Sequence, residues 1–153
     1  MSIAITLAKF LLDRNIPYEL VSHPHTETAL SSATASRLAP DSVVKAVVLK
    51  KTDGFMLALL PASRQIKFDA LRSVLGRDVD IASEEQVEPL FMDCEPGSVP
   101  ALGAAYGLDV VIDDSLAQKS ELYLEAGDHE NLVHISGASF QKLTRNARHG
   151  PFS

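Results

Sequence analysis

The sequence predicts an α/β (mixed α+β) fold: one domain over residues 1–153, with a mixed, mostly antiparallel central sheet and helices around it. Three observations lead there. Stretches with helical and strand periodicity interleave along the whole chain. Lys51-Thr52-Asp53-Gly54, set between two strand-like runs, carries the Asp-Gly chemistry of a tight antiparallel hairpin. Hairpins among interleaved helices favour a mixed sheet over a doubly wound parallel one. A chain of 153 residues that is 46% hydrophobic can bury most of the surface its unfolded form exposes, so one core suffices.

Ser2 is positioned to cap a first helix with Ile3, Leu7, Phe10 and Leu11 on one stripe, ending near Asn15 before Pro17. Tyr18 to Val21 reads as a short strand, Ser22 to Thr26 as a loop, and the alanine-rich Glu27 to Leu38 as a second helix ended near Pro40. Strands Val43 to Lys50 and Phe55 to Leu60 flank the hairpin. A helix over Phe68 to Leu75, a short strand over Val79 to Ala82, and a capping box of Ser83 with Gln86 opening another helix follow. Cys94 to Gly103 is a loop punctuated by Pro and Gly. Strands Val110 to Ile112, Leu122 to Ala126 and Leu132 to Ile135, a helix from Ala138 to Leu143 and a polar tail complete the chain.

Composition narrows the function. A net charge of -6 argues against broad, sequence-independent nucleic-acid binding and against a DNA partner, while leaving room for a local basic cleft. Cys94 is the only cysteine, which excludes an internal disulfide framework and a cysteine-rich zinc site and fits a reducing cytoplasm. The N-terminal stretch lacks signal-peptide character, no segment reaches transmembrane length, and no membrane partner is expected. There is no G-x-S-x-G elbow, P-loop or dinucleotide fingerprint.

Lys45 is the strongest functional lead. It interrupts the apolar run Val43-Val44-Lys45-Ala46-Val47-Val48-Leu49, on the strand face shared with Val43, Val47 and Leu49. An ammonium there needs a cleft, an ion pair or a substrate with oxyanions; snorkelling at an edge strand is the competing reading. Gly97-Ser98-Val99-Pro100-Ala101-Leu102-Gly103, preceded by Pro96, can aim several N–H groups at one point as an oxyanion nest, or can simply connect elements. His129, in the turn Glu125-Ala126-Gly127-Asp128-His129, can donate a hydrogen bond near neutral pH. His23, His25, His129 and His134 lack the cysteine or carboxylate companions of a zinc site. Cys94 sits between Asp93 and Glu95, which disfavours its thiolate.

The Lys45 strand, the Gly97 to Gly103 loop and the closing Ala126-Gly127-Asp128-His129 together resemble the YbaK-type editing domain of prolyl-tRNA synthetases, in order and spacing over nearly the whole chain. The resemblance implies a freestanding hydrolase that cleaves the ester of mischarged tRNA carrying a small amino acid, with no metal or organic cofactor. It implies a catalytic role for Lys45 and substrate binding by Gly97, Ser98, Val99, Pro100, Gly103 and His129. Its partner is the aminoacylated 3' acceptor end of a tRNA, supplied by an aminoacyl-tRNA synthetase or an elongation factor. Gly97 and Pro100 stand three positions apart where the family's glycine and proline usually stand four apart, a departure that bears on substrate preference. The alternative is a non-catalytic module that binds an aminoacyl group, a small amino acid or a partner peptide.

Overall fold

The apolar stripe Leu7, Phe10 and Leu11 is buried on α1 (Ile5–Asp13) in the computed structural model, which describes residues 3–153. The proposed Ser2 cap lies outside the described residues; the helix is entered through Ala4, whose N–H donates to the Ala126 carbonyl at 2.9 Å. After β1 (Glu19–Ser22), α2 is shorter than its composition suggests, Ala29–Ala35. Thr28 caps it through the Ser31 N–H, and Arg37 at φ 57° turns the chain out of the helix. The hairpin forms as expected, β2 (Val43–Lys51) pairing with β3 (Gly54–Pro61) across Thr52 and Asp53. Next come α3 (Phe68–Leu75), β4 (Asp80–Ile81) and α4 (Glu84–Val87), the last opened by the capping box of Ser83 and Gln86. The last third supplies β5 (Asp109–Asp113), β6 (Glu121–Glu125), β7 (Asn131–Ser136), α5 (Gly137–Leu143) and β8 (Arg148–Gly150).

These strands make one mixed sheet in the order β1-β7-β6-β2-β3-β5-β8, with β4 attached to β2. Four pairings are antiparallel (β1·β7, β2·β3, β2·β4, β6·β7) and three parallel (β2·β6, β3·β5, β5·β8). Period-two alternation divides β3 between two cores. Leu57 and Leu59 face the cluster with α1 and Phe140 of α5, while Met56, Ala58 and Leu60 face Leu71 and Leu75 of α3. Both faces being covered explains why β3 reads as an unbroken apolar run.

The polar tail is corrected by the structure. Arg148–Gly150 pairs in parallel with β5, and Phe152 beyond it is 1% exposed in the α3-side core. Asp113 fixes this end: its carboxylate accepts the N–H groups of Phe152 (2.8 Å) and Ser153 (3.0 Å) and the Ser153 hydroxyl (2.8 Å). Asp113 therefore serves strand-end and tail geometry.

Candidate active site

The site grows from a defect in strand pairing. One edge of β2 is paired with β3 from Val44 to Lys51. The other edge is shared: β6 takes Val43 and Val44, β4 takes Leu49 and Lys50, and the Val48 carbonyl accepts the Ala82 N–H at 3.0 Å. Between them the edge has no strand partner among the described residues. Because Val48 turns its backbone to this edge, alternation turns the N–H and C=O of Ala46 the same way, into the gap. A cavity of about 800 Å³ opens there, lined by Lys45, Val47, Cys94, Gly97, Val99 and Glu125 among others.

Lys45 and Glu125 stand at the fork. The parallel register Val43↔Tyr123 and Val44↔Leu124 would next place Glu125 beside Lys45, but the strands part at that rung. Lys45 is half-buried and its Nζ donates to the Arg64 carbonyl. Desolvation lowers its pKa. Glu125 is 4% exposed; burial raises its pKa against the opposing pull of Ser32 and Ser98 and of nearby His129 and His23. Its oxygens accept the hydroxyls of Ser32 on α2 (2.7 Å) and Ser98 (3.2 Å), which ties three walls of the cavity to one carboxylate. Neither Lys45 nor Glu125 forms an ion pair among the described residues.

The loop residues separate into two sets. Gly97 and Val99 line the cavity. Ser98 lies behind them, fully buried, donating to Glu125 and accepting the N–H groups of Gly127 (3.1 Å) and His129 (3.3 Å). His129, 3% exposed, sits beneath the loop with Nε2 at 2.5 Å from the Pro96 carbonyl, and it is not among the cavity-lining residues. Its φ of 60° and the φ of 102° at Gly127 make the turn, which Asp128 secures by accepting the N–H groups of Glu130 (3.0 Å) and Asn131 (2.9 Å). Pro100 is buried, and Gly103 packs against Val110, Leu57 and the Leu108 carbonyl and lines a different cavity. Lys45, Gly97 and Val99 are thus brought together, Ser98 and His129 brace them, and Gly103 lies apart.

Cys94 lines the cavity, but burial pushes its thiol up to about 12, with the Tyr106 hydroxyl opposing and Asp93 reinforcing, so it stays protonated at neutral pH. Among the described residues no group of three His, Cys, Asp or Glu is placed to hold a metal ion. His134 stacks on Tyr123 at 4.5 Å, whereas His25 and His129 have ring centroids 5.1 Å apart. Sequence reading missed Glu125 and the open edge at Ala46. The signal for Glu125 was weak, a carboxylate closing the alternating strand Leu122 to Glu125; for the edge there was none.

Lys45 and Glu125, an ammonium and a carboxylate, thus line one cavity beside an unpaired stretch of the β2 edge. The chain belongs to the aminoacyl-tRNA editing domain family, whose model matches residues 23–143. It is 24% identical over 135 residues to the proline–tRNA ligase of Macrococcus caseolyticus, a match covering 88% of this chain and 23% of the ligase. The proline–tRNA ligase of Bacillus cytotoxicus matches over 100 residues at 26% identity, covering 65% of this chain. The chain spans only 18% and 23% of these two curated relatives. A crystal structure described as a candidate trans-editing enzyme for prolyl tRNA synthetase shares the fold, with a TM-score of 0.84 and 22% identity over 98% of this chain and 96% of that one. No helix among the described residues is long and apolar enough to cross a membrane.

Proposed function

We propose that the chain hydrolyses the ester joining a small, wrongly attached amino acid to the 3' end of a tRNA, without a metal ion. The observation that carries this reading is Lys45: a half-buried ammonium on the cavity wall whose partner is a carbonyl and not a carboxylate. An incoming anion meets a partly desolvated cation without displacing an internal counter-ion.

In the reaction a water oxygen adds to the ester carbonyl carbon, the bond to the ribose oxygen breaks, and a proton from the water passes to that leaving oxygen. Lys45 holds the terminal phosphate or the ester region, positioning more than reacting. Backbone N–H groups around Gly97 and Val99 stabilise the developing oxyanion. Ser98 and His129 hold that loop in place from behind. Glu125, whose carboxylate retains lone pairs beyond the two serine bonds, receives the α-ammonium of the aminoacyl group. A ribose hydroxyl of the tRNA assists the water. Pocket walls discriminate one methylene by only about 1–3 kcal/mol, so preference among small amino acids is graded.

The test is release of radiolabelled amino acid from a panel of correctly and incorrectly charged tRNAs by the wild type and by Lys45→Ala. Lys45-dependent release from one mischarged class is the expected result, with the thermal unfolding of the variant unchanged. Equal rates in the two proteins refute the role of Lys45. Release from no substrate, with retained binding of an aminoacyl ligand, replaces the hydrolase by a binding module.

A further inference from the structure

A second cavity, of about 520 Å³, opens at the far end of β2, beside the last turn of α5. Five of the chain's fourteen Lys and Arg residues line it: Lys51, Arg77, Lys142, Arg145 and Arg148. This gathering runs against a net charge of -6. Asp109 is the one carboxylate residue in the lining, at 3.7 Å from Lys51, and neighbouring Asp53 reaches Lys51 at 4.0 Å and Arg77 at 3.0 Å. Arg148 donates to the carbonyls of Val74 and Leu75 at the end of α3. Lys142 and Arg145, both exposed, form no ion pair among the described residues. Beneath these cations the floor is apolar, with Phe10, Leu102 and Val110, and a low-dielectric floor strengthens attraction between the cations and an anion above it.

We propose that this cavity binds the phosphate groups of a nucleotide chain. Strand β2 relates it to the first cavity: Lys45 and Lys51 share a face and lie six residues apart, about 20 Å at ~3.3 Å per residue. Leu49 between them is buried in the α3-side core, so a strand passes around this face, and at ~3.4 Å of rise per stacked nucleotide a strand whose terminal ester lies at Lys45 needs at least about six nucleotides to bring its backbone to the Lys51 rim. The assignment of that strand as tRNA rests on the editing reading above; the phosphate chemistry of the rim does not.

Fluorescence anisotropy with labelled, uncharged tRNA measures binding without hydrolysis. The Lys142→Gln/Arg145→Gln double variant binds about tenfold more weakly than wild type, and its log–log salt slope falls by roughly 1.5, from ~0.7–0.9 per lost phosphate contact. Lys9→Gln, which removes an exposed charge on α1 outside the cavity, gives a much smaller change. In hydrolysis, the loss of kcat/KM caused by the double variant is about tenfold greater on full-length charged tRNA than on an aminoacylated trinucleotide, which is too short to span the two cavities. Displacement of the label by AMP from wild type and not from the double variant also supports the phosphate site, with a free nucleotide as its ligand. Equal affinity and equal salt slope for wild type and the double variant overturn the proposal. If wild type hydrolyses neither substrate, the editing reading fails, and the binding measurements still decide the cavity.

Discussion

Replacing Ser98 with alanine separates a serine that touches substrate from one that builds the site. The hydroxyl is fully buried, donates to Glu125 at 3.2 Å and accepts the N–H groups of Gly127 at 3.1 Å and His129 at 3.3 Å. Ser98→Ala leaves two buried N–H groups without an acceptor and removes one donor from a buried carboxylate. At about 1 kcal/mol for each of the three, the variant is destabilised by about 3 kcal/mol. For a chain of this size that corresponds to a fall in Tm of roughly 6–12 °C. The assay is urea unfolding followed by circular dichroism, with the slope against denaturant checked for constancy so that the midpoint shift reports stability. Because the same hydroxyl fixes the Gly97–Val99 loop, activity falls through a lower kcat with little change in the KM for tRNA. A destabilisation under 0.5 kcal/mol, or a pure KM effect, refutes the reasoning and returns Ser98 to a direct substrate contact.

Two further predictions concern carboxylates. Glu125→Gln lowers kcat/KM on aminoacyl-tRNA about 10- to 100-fold, as expected for one charged hydrogen bond of ~1.5–3 kcal/mol, and has a much smaller effect when the α-amino group is acetylated; equal losses on both substrates leave Glu125 a structural clamp. Burial raises the Glu125 pKa in the fold, so its contribution is fully present below the unfolded value and is lost as pH rises through the raised folded one; urea unfolding across pH shows that decline in wild type and not in Glu125→Gln. Asp113 has the opposite sign: burial alone would raise it, but bonds from Ser115, Phe152 and Ser153 outweigh that and hold its carboxyl below the ordinary range. Its stabilisation is present above the unfolded pKa and lost as pH falls through the folded one. Asp113→Asn removes about 1–2 kcal/mol at neutral pH and loses less on acidification than wild type; parallel acid profiles refute the assignment.

Local chemistry made much of the fold legible. The hairpin, the capping box at Ser83 and the bounds of α3 follow from residues close in sequence, and the structure reproduces them. Lys45 stood out because an isolated ammonium in a β-branched run contradicts its surroundings. What escaped depends on partners far along the chain. Arg148-His149-Gly150 has no strand-like alternation and becomes a strand because β5 offers a parallel edge. Glu125 looks like the solvent-facing end of a strand, and only packing of Ser32, 93 residues away, and of Ser98, 27 residues away, turns it into a buried cavity wall. Pro and Gly made the Gly97 to Gly103 loop visible, but not which residues face inward: Gly97 and Val99 line the first cavity and Gly103 the second.

The location of the first cavity follows from how one strand edge is divided. Parallel pairing with β6 runs for two residues and antiparallel pairing with β4 for two more, because the chain after β4 turns at Ser83 into α4 and cannot follow β2 back toward Lys45. The backbone of Ala46 is left facing the gap, and burying such groups without partners costs about 1–3 kcal/mol each. An open cavity avoids that cost by admitting water, and a ligand with its own carbonyl or ammonium can take the water's place. The same parting of strands keeps Lys45 and Glu125 from neutralising each other across the rung they would otherwise share. A closed sheet at this point would bring the two charges together as an internal ion pair and leave no site; the fork holds them apart, each anchored by uncharged groups, with opposite signs directed into one space.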